Sequence, residues 1–195
     1  MKHRYRTHVC VAFLLLLSLS GGLGLCGEVR LTEPDLQGKL HDPFSTDPAF
    51  KANLFVFLSA DCPICAKYTP ELRRLSQAWA GKGIRCWFVY PDPDTELKKL
   101  QVHSAECKFE GRFLLDRKQN LASRCRIQFT PEAALFSPSG ELVYHGRIDD
   151  RFPALGVERP VSERTLELAI DHFLAGRTNL IRSVPGVGCQ LPTLP

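Results

Sequence analysis

The chain has 195 residues, of which 44% are hydrophobic and 24% are charged. This composition excludes an intrinsically disordered protein, and fourteen scattered glycines and fourteen prolines exclude a collagen-like one. The formal net charge of +4 belongs largely to the first residues: without their three basic side chains, 22 basic and 21 acidic residues remain, a net charge of +1. Such a balance provides no basic surface for nucleic acid, so we expect no nucleic-acid partner.

Residues 1–27 have the charge and order of a secretory signal peptide. Three basic side chains precede an apolar run from Val9 to Leu17, and small residues follow it. The run is too short to span a bilayer comfortably, which favours cleavage over a membrane anchor. We therefore expect an exported protein, periplasmic or secreted, without stable membrane insertion after cleavage. Lipid attachment through Cys26 is disfavoured because the large Leu25 precedes it.

Short apolar runs alternate with amphipathic segments in the rest of the chain, a pattern that predicts an α/β sandwich. A short hairpin is expected around Gln37–Gly38, Asp92 and Ser162 are the expected caps of two helices, and the tail is expected to lack regular structure. The predicted elements are, in order, strand 53–60, a helix ending near residue 81, strand 84–90, helix 92–106, strand 112–115, helix 118–126, a hairpin of 133–136 and 141–147, and helix 163–175.

Two cysteines, Cys62 and Cys65, lie between the first buried strand and the first helix. Cys62 falls at the helix N-cap, and Pro63 at the first helical position, where its missing N–H costs nothing. The free N–H groups and partial positive charge of a helix start lower the pKa of a thiol. We therefore expect Cys62 to attack and Cys65, one turn further on, to resolve the mixed disulfide. Of the neighbouring charges, Asp61 opposes ionisation of Cys62 and Lys67 favours it.

Two other uses of this cysteine pair are disfavoured. A zinc site needs a second pair of ligands, and the chain has no other CxxC and no HxxxH, so we expect no metal. A purely structural disulfide across one helical turn would constrain very little of the chain.

The stretch from Phe55 to Trp79 resembles the active-site strand and helix of thioredoxin-like proteins, including a helix proline at Pro70. The segment 129–136 resembles the strand that a cis-proline opens in that family, so Pro131 is the candidate for a cis peptide bond. The strand and helix of residues 112–126 resemble the insertion of the redoxin branch. The finer similarity is to exported peroxiredoxin-like group 1 proteins, and it includes residues 146–150 and the late Gly188–Cys189 pair.

This resemblance implies a thioredoxin-like sandwich with a mixed central sheet, helices on both faces and a redoxin-type strand–helix insertion. It places the domain at residues 28–178 and a tail punctuated by glycine and proline at 179–195. It also implies a thiol–disulfide oxidoreductase in which Cys62 and Cys65 are catalytic and Thr130 and Pro131 shape the substrate groove. The implied partners are protein thiols or disulfides and an electron donor or acceptor protein, and no organic cofactor is expected. Val56 departs from the family, because thioredoxin has a buried acid there.

Four cysteines remain in the exported chain. Cys86 lies inside a strand and is expected to be a core residue. Cys107 and Cys125, 18 residues apart, are candidates for a structural disulfide. Cys189 could resolve the Cys62 intermediate or relay electrons, or it could be a structural or free thiol, and the sequence leaves these roles open.

Three alternative functions stay open at this level. A peroxiredoxin-like peroxidase would use Cys62 as its peroxidatic cysteine; Ser59 keeps the hydroxyl of that family's motif, whereas Phe55 replaces its proline. A copper-delivery protein would use Cys62, Cys65 and His145, because copper(I) favours thiolate ligands. A non-catalytic binding module would keep the fold without turnover.

Overall fold

The structure is a computed structural model that describes residues 31–194, so the predicted signal peptide and Cys26 lie outside the described residues. The strands are β1 Glu33–Pro34, β2 Leu40–His41, β3 Ala52–Phe57, β4 Ile84–Tyr90, β5 Arg112–Leu115, β6 Phe129–Thr130, β7 Glu132–Phe136, β8 Leu142–Gly146 and β9 Cys189–Gln190. The helices are α1 Pro63–Gly81, α2 Leu97–Cys107, α3 Asn120–Cys125 and α4 Thr165–Leu174, with a 3-10 turn at Thr178–Leu180. None of the helices in this part of the chain is long and apolar enough to cross a membrane.

The central sheet has five strands in the order β5-β4-β3-β7-β8. Strands β3, β4 and β5 are parallel, whereas β7 runs antiparallel to β3 and β8 runs antiparallel to β7. Outside this sheet, β1 pairs with β2, as the hairpin prediction requires, and β6 pairs with β9. The predicted fold class is confirmed, including the strand and helix of the insertion, which are β5 and α3.

Two hydrophobic clusters cover opposite faces of the sheet, because successive side chains of a strand point to opposite sides. Leu54 and Val56 of β3 lie in the cluster that packs against α1 and α4. Phe55 and Phe57 of the same strand lie in the cluster that packs against α3. Which face a residue belongs to decides which cysteines can meet.

The site lies at the end of the central strand, where β3 ends and α1 begins. Since β7 is antiparallel to β3, its first residue, Glu132, stands opposite Phe57, the last residue of β3. The β6–β7 junction at Pro131 is therefore brought beside the start of α1. Seven side chains of α1 are buried, which anchors the helix and fixes the position of Cys62 at its N-cap.

The second helix begins later than predicted, at Leu97. Asp92 does not cap it: the Asp92 carboxylate instead accepts hydrogen bonds from the backbone N–H groups of Asp94 (2.8 Å) and Thr95 (3.3 Å). Such an Asx turn competes locally with helix formation. The prediction that the helix starts at Asp92 is therefore wrong.

Ser162 likewise does not cap the last helix, which begins at Thr165. Its N–H donates to the Asp150 carboxylate at 2.8 Å, and its hydroxyl donates to the same group. The buried Asp150 also binds Arg159, so it closes the loop between β8 and α4. The Ser162 side chain, which the local pattern predicts to cap the helix, therefore binds Asp150 instead.

The tail is more ordered than predicted. Besides the 3-10 turn, it contains β9, whose Cys189 pairs with Thr130 in β6. The tail also passes along the edge of β8, where the Val184 carbonyl accepts the Arg147 N–H at 2.8 Å. Gly146 makes this approach possible, because a Cβ at that position would lie 1.9 Å from the Val184 oxygen.

Candidate active site

Cys62 is the N-cap of α1, with Pro63 following it in the first turn, as the sequence predicts. Its Sγ atom lies 3.2 Å from the Thr130 carbonyl oxygen, and the residue is only 2% exposed. The backbone therefore positions this sulfur directly against the β6–β7 junction. It is covered by other parts of the same chain, which the sequence did not indicate.

Cys65 is also 2% exposed, and the Ser59 N–H donates a hydrogen bond to its sulfur at 3.5 Å. The two thiols have opposite acidities. A hydrogen bond from Cys65 is the largest cause that lowers the pKa of Cys62, which falls to about 5 against the effect of burial, and Cys189 lowers it further. Burial raises the pKa of Cys65 well above its ordinary value, and the neighbouring Cys62 raises it further. These opposite pKa shifts favour ionisation of Cys62 over that of Cys65.

The charged neighbours considered from sequence are occupied elsewhere. Asp61 forms an ion pair with Lys99, and Lys67 forms one with Glu158. All four side chains are substantially exposed, so solvent screens their effect. The acidity of Cys62 thus depends mainly on thiol donors, which a prediction from helix position and neighbouring charges did not include.

Replacing Cys65 by alanine is expected to raise the pKa of Cys62 above about 5, because it removes the largest stabilising hydrogen bond. Cys65→Ser is the matched control, since its hydroxyl keeps a donor and should raise the pKa less. The measurement is the ultraviolet absorbance of the thiolate as a function of pH in the reduced protein. An unchanged pKa in Cys65→Ala would contradict this assignment.

The same shift predicts a pH-dependent stability. Between about pH 5 and 9 the folded protein holds the Cys62 thiolate while the unfolded chain binds a proton there. The free energy of unfolding of the reduced protein should therefore rise with pH across this window relative to Cys62→Ser, and the stabilisation should be lost as the pH falls through about 5. Chemical denaturation of both proteins at several pH values measures the difference.

The peptide bond between Thr130 and Pro131 is cis, which confirms that prediction. Thr130 is buried, and its carbonyl faces Cys62. Glu132, which the sequence analysis did not single out, is 4% exposed and supports this junction. Its Oε2 atom accepts the N–H groups of Gln128 (2.9 Å) and Phe129 (3.1 Å). The sequence did contain a signal for this role: an acidic residue directly follows the candidate cis-proline and opens a buried strand.

Cys189 reaches the site from the tail. Its Sγ atom lies 2.7 Å from that of Cys62, and its residue stands opposite Thr130 in the β6–β9 pair. Burial raises the pKa of Cys189 to about 12, and its hydrogen bond to Cys62 adds to the shift. Cys62 therefore has two sulfur neighbours, Cys65 on its own helix and Cys189 on the tail. A cavity of about 200 Å³ opens beside them, lined by Ser59, Thr130 and Cys189 among others.

The structure does not bring together the candidate disulfide pair Cys107 and Cys125. All six cysteines within residues 31–194 are free thiols. Cys107 lies beside α1, where the Arg73 guanidinium donates to its carbonyl oxygen at 2.7 Å, whereas Cys125 is buried in the cluster that packs under α3. The sheet separates them, and spacing along the chain does not contain that information. Cys86 is buried in the core, as predicted.

The copper-binding set is not assembled either. His145 stands opposite Ala134, whose side chain lies in the α3 cluster, on the other face of the sheet from Cys62 and Cys65. Within residues 31–194, no group of three His, Cys, Asp or Glu side chains is placed to hold a metal ion.

No family model matches the sequence, and no curated protein matches it. A hypothetical protein from Sinorhizobium meliloti 1021 has a similar structure, with 26% identity, coverage of 83% of this chain and 89% of that chain, and a TM-score of 0.70. An uncharacterized conserved protein from Geobacillus kaustophilus has 23% identity, coverage of 85% and 89%, and a TM-score of 0.72.

A third structure is described as a secreted Mycobacterium tuberculosis disulfide oxidoreductase homologous to E. coli DsbE. It has 16% identity, coverage of 77% of this chain and 95% of that chain, and a TM-score of 0.51. The order of the central sheet and the cis-proline junction beside the start of α1 agree with the thioredoxin-like sandwich expected from the sequence. The chain is a thioredoxin-like protein by fold.

Proposed function

We propose that the chain is an exported thiol–disulfide oxidoreductase that acts on protein cysteines through Cys62 and Cys65. The observation that carries the proposal is the position of the pair: Cys62 is the N-cap of α1, and its sulfur lies 3.2 Å from the Thr130 carbonyl oxygen at the cis-proline junction. In addition, a hydrogen bond from Cys65 lowers the pKa of Cys62 to about 5, and burial raises the pKa of Cys65. A thiolate is the attacking species in disulfide exchange, so the first residue is ready to attack at neutral pH while the second is held back.

The reduction of a substrate disulfide then has two balanced steps. The Cys62 thiolate attacks one substrate sulfur, forms a mixed disulfide and releases the other sulfur, which takes a proton from solvent. Cys65 loses its proton and attacks Cys62, which closes the Cys62–Cys65 disulfide and releases the second substrate thiol. Two electrons pass from the pair to the substrate, and a donor protein must return them. The reverse sequence oxidises a substrate dithiol and needs an acceptor protein.

Thr130 and Pro131 are proposed to bind the substrate backbone beside Cys62. The Thr130 carbonyl oxygen lies within hydrogen-bonding distance of the reactive sulfur, at 3.2 Å. No organic cofactor is required, since the electrons reside in the cysteine pair. Val56 is fully buried in the hydrophobic cluster, so the proton of Cys65 leaves without the acid that thioredoxin has at this position.

Residues 1–27, which have the charge and order of a signal peptide, support the export that the proposal includes. A compartment outside the cytoplasm is one where protein disulfides persist and need exchange. The Mycobacterium tuberculosis neighbour is described as secreted, which is in line with this localisation.

The test measures the activity of the chain from Glu28 onward on two substrates, insulin and hydrogen peroxide. We expect it to reduce the disulfides of insulin in the presence of a dithiol donor, and to do so faster than it consumes hydrogen peroxide. Rapid peroxide consumption with oxidation of Cys62 to the sulfinic form, and no insulin reduction, would favour the peroxidase instead. Absence of both activities would favour the binding module.

A further inference from the structure

We propose that Cys189 is a third redox-active thiol, which exchanges with the Cys62–Cys65 disulfide and occupies, on β9, the position of a substrate strand. The proposal rests on the proposed function, because it uses the same attacking sulfur. It concerns a tail segment, residues 183–191, which we call the strap.

The strap is fixed to the domain by backbone hydrogen bonds at both ends. At its start, the Val184 carbonyl accepts the Arg147 N–H at 2.8 Å. At its end, the Leu191 N–H donates to the Gln128 carbonyl at 3.0 Å. Because these contacts lie on either side of the cysteine site, the segment between them must cross it.

Glycines let the strap lie deep in the groove. A Cβ at Gly188 would lie 2.1 Å from the Thr130 carbonyl oxygen, which is backbone and cannot move aside cheaply. A Cβ at Gly186 would lie 2.6 Å from the Glu132 side chain, and the Gly186 N–H donates to the Glu132 carboxylate at 2.7 Å. The close fit indicates a built position for this segment rather than a loosely collapsed tail.

The strap places its cysteine where a substrate cysteine would stand. β9 is antiparallel to β6, with Cys189 opposite Thr130, and the two sulfurs of Cys62 and Cys189 are 2.7 Å apart. Pairing of an extended strand with a sheet edge is a common way to bind peptides. A substrate strand that needs this edge must displace β9, so the strap also limits access to the buried Cys62.

The exchange step balances without an added oxidant. Cys189 gives its proton to solvent, and its thiolate attacks Cys62 in the Cys62–Cys65 disulfide. The Cys62–Cys189 bond forms, the Cys62–Cys65 bond breaks, and the sulfur of Cys65 leaves with the electron pair and takes up a proton. Two sulfurs are oxidised before and after the step. The original disulfide comes from a protein disulfide that the pair has reduced, as the proposed function supplies.

In the reduced site, the pKa values favour Cys62 over Cys189 as the nucleophile. Burial and the hydrogen bond to Cys62 raise the pKa of Cys189 to about 12, so Cys189 donates to the Cys62 thiolate rather than competing with it as a nucleophile. In the disulfide Cys62 has no charge, which removes one cause of that high pKa. Cys189 thus becomes a better nucleophile only after Cys62 has been oxidised.

The experiment equilibrates the chain from Glu28 onward with oxidised and reduced glutathione, quenches it with acid, alkylates free thiols and maps disulfides by mass spectrometry. In Cys65→Ser we expect a Cys62–Cys189 disulfide. Two groups joined by a short linker have an effective concentration of about 1 mM, so with about 0.1 mM reduced glutathione this disulfide should exceed the Cys62–glutathione adduct about tenfold. In the unmodified chain, both the Cys62–Cys65 and Cys62–Cys189 disulfides should be found.

Two variants keep the result interpretable. Gly188→Val retains all three cysteines but should displace β9, and in the Cys65→Ser background it should lower the Cys62–Cys189 fraction strongly. Cys107→Ala, at a cysteine outside the site, should leave that fraction unchanged. A Cys65→Ser protein that accumulates the glutathione adduct with Cys189 free, or with Cys189 bonded to another cysteine, would overturn the proposal.

Insulin reduction by the unmodified chain, measured on the same preparation, separates this inference from the proposed function. Activity without a Cys62–Cys189 disulfide in Cys65→Ser would overturn the role of Cys189 and leave the oxidoreductase standing. A Cys62–Cys189 disulfide without activity would support the three-thiol exchange but contradict the oxidoreductase.

Discussion

Cys62→Ser is expected to abolish the reduction of protein disulfides, lowering the rate by about a thousandfold or more, because the nucleophile itself is lost. Neither of the two thiols beside Cys62 can take over as the attacking group. Burial raises the pKa of both Cys65 and Cys189, so neither offers an appreciable thiolate at neutral pH. Insulin reduction with a dithiol donor measures the effect, and circular dichroism checks that the variant is folded.

The double variant Cys65→Ser, Cys189→Ser should behave differently from Cys62→Ser. It keeps the attacking sulfur and loses both neighbours that could resolve the intermediate, so it should form one equivalent of a stable mixed disulfide with substrate and then stop. Cys86→Ala, at a core position, is the matched control and should retain turnover. If Cys62→Ser keeps more than about a tenth of the activity, the attacking residue has been assigned incorrectly.

The parts of the fold that the sequence predicts well are those decided by local patterns. The run 84–90 is β4 with the predicted bounds, since a strand buried on both faces is rich in apolar side chains, and Arg85 is its one charged residue. Cys62 and Pro63 begin α1 as expected because an N-cap and a proline in the first turn are local features. The hairpin of β7 and β8 is likewise set by its turn at Ser137–Gly140.

Most of what the sequence did not predict depends on contacts between segments that are apart in the chain, and the competing local turn at Asp92 is the exception. Asp92 and Ser162 have the residue types of helix caps, but a local Asx turn and the buried Asp150 carboxylate use them instead. Cys107 and Cys125, the candidate disulfide pair, do not meet because they lie on opposite sides of the sheet. Spacing along the chain does not show which face a residue occupies.

The candidate active site also depends on a contact that local sequence patterns do not show. The sequence predicted the attacking and resolving residues, but it explained the acidity of Cys62 by the helix start and nearby charges. In the structure, hydrogen bonds from two thiols lower the pKa, and one of those thiols is Cys189, 127 residues away. Only the path of the tail over β8 and β6 brings that sulfur to the site, and the glycines that permit this path are recognisable once their neighbours are known.

Glu132→Gln is expected to destabilise both the cis-proline junction and the strap, because one carboxylate holds them together. Its Oε2 atom accepts the N–H groups of Gln128 and Phe129, and its Oε1 atom accepts the N–H of Gly186. A glutamine has one acceptor oxygen, so either the junction or the strap then faces an NH₂ group, donor against donor. A buried donor left without a partner costs about 1–3 kcal/mol, and we expect a loss of this size in the free energy of unfolding.

The control for this prediction is Glu141→Gln, an exposed position in the same hairpin, which should change the free energy of unfolding by less than about 0.5 kcal/mol. Chemical denaturation of the reduced proteins measures both changes. Hydrogen exchange then separates the two possible orientations of the new amide: fast exchange at Gly186 means that the strap has lost its acceptor, whereas fast exchange at Gln128 and Phe129 means that the junction has. If Glu132→Gln is as stable as the control and all three amides stay protected, the carboxylate does not fasten the strap to the active site.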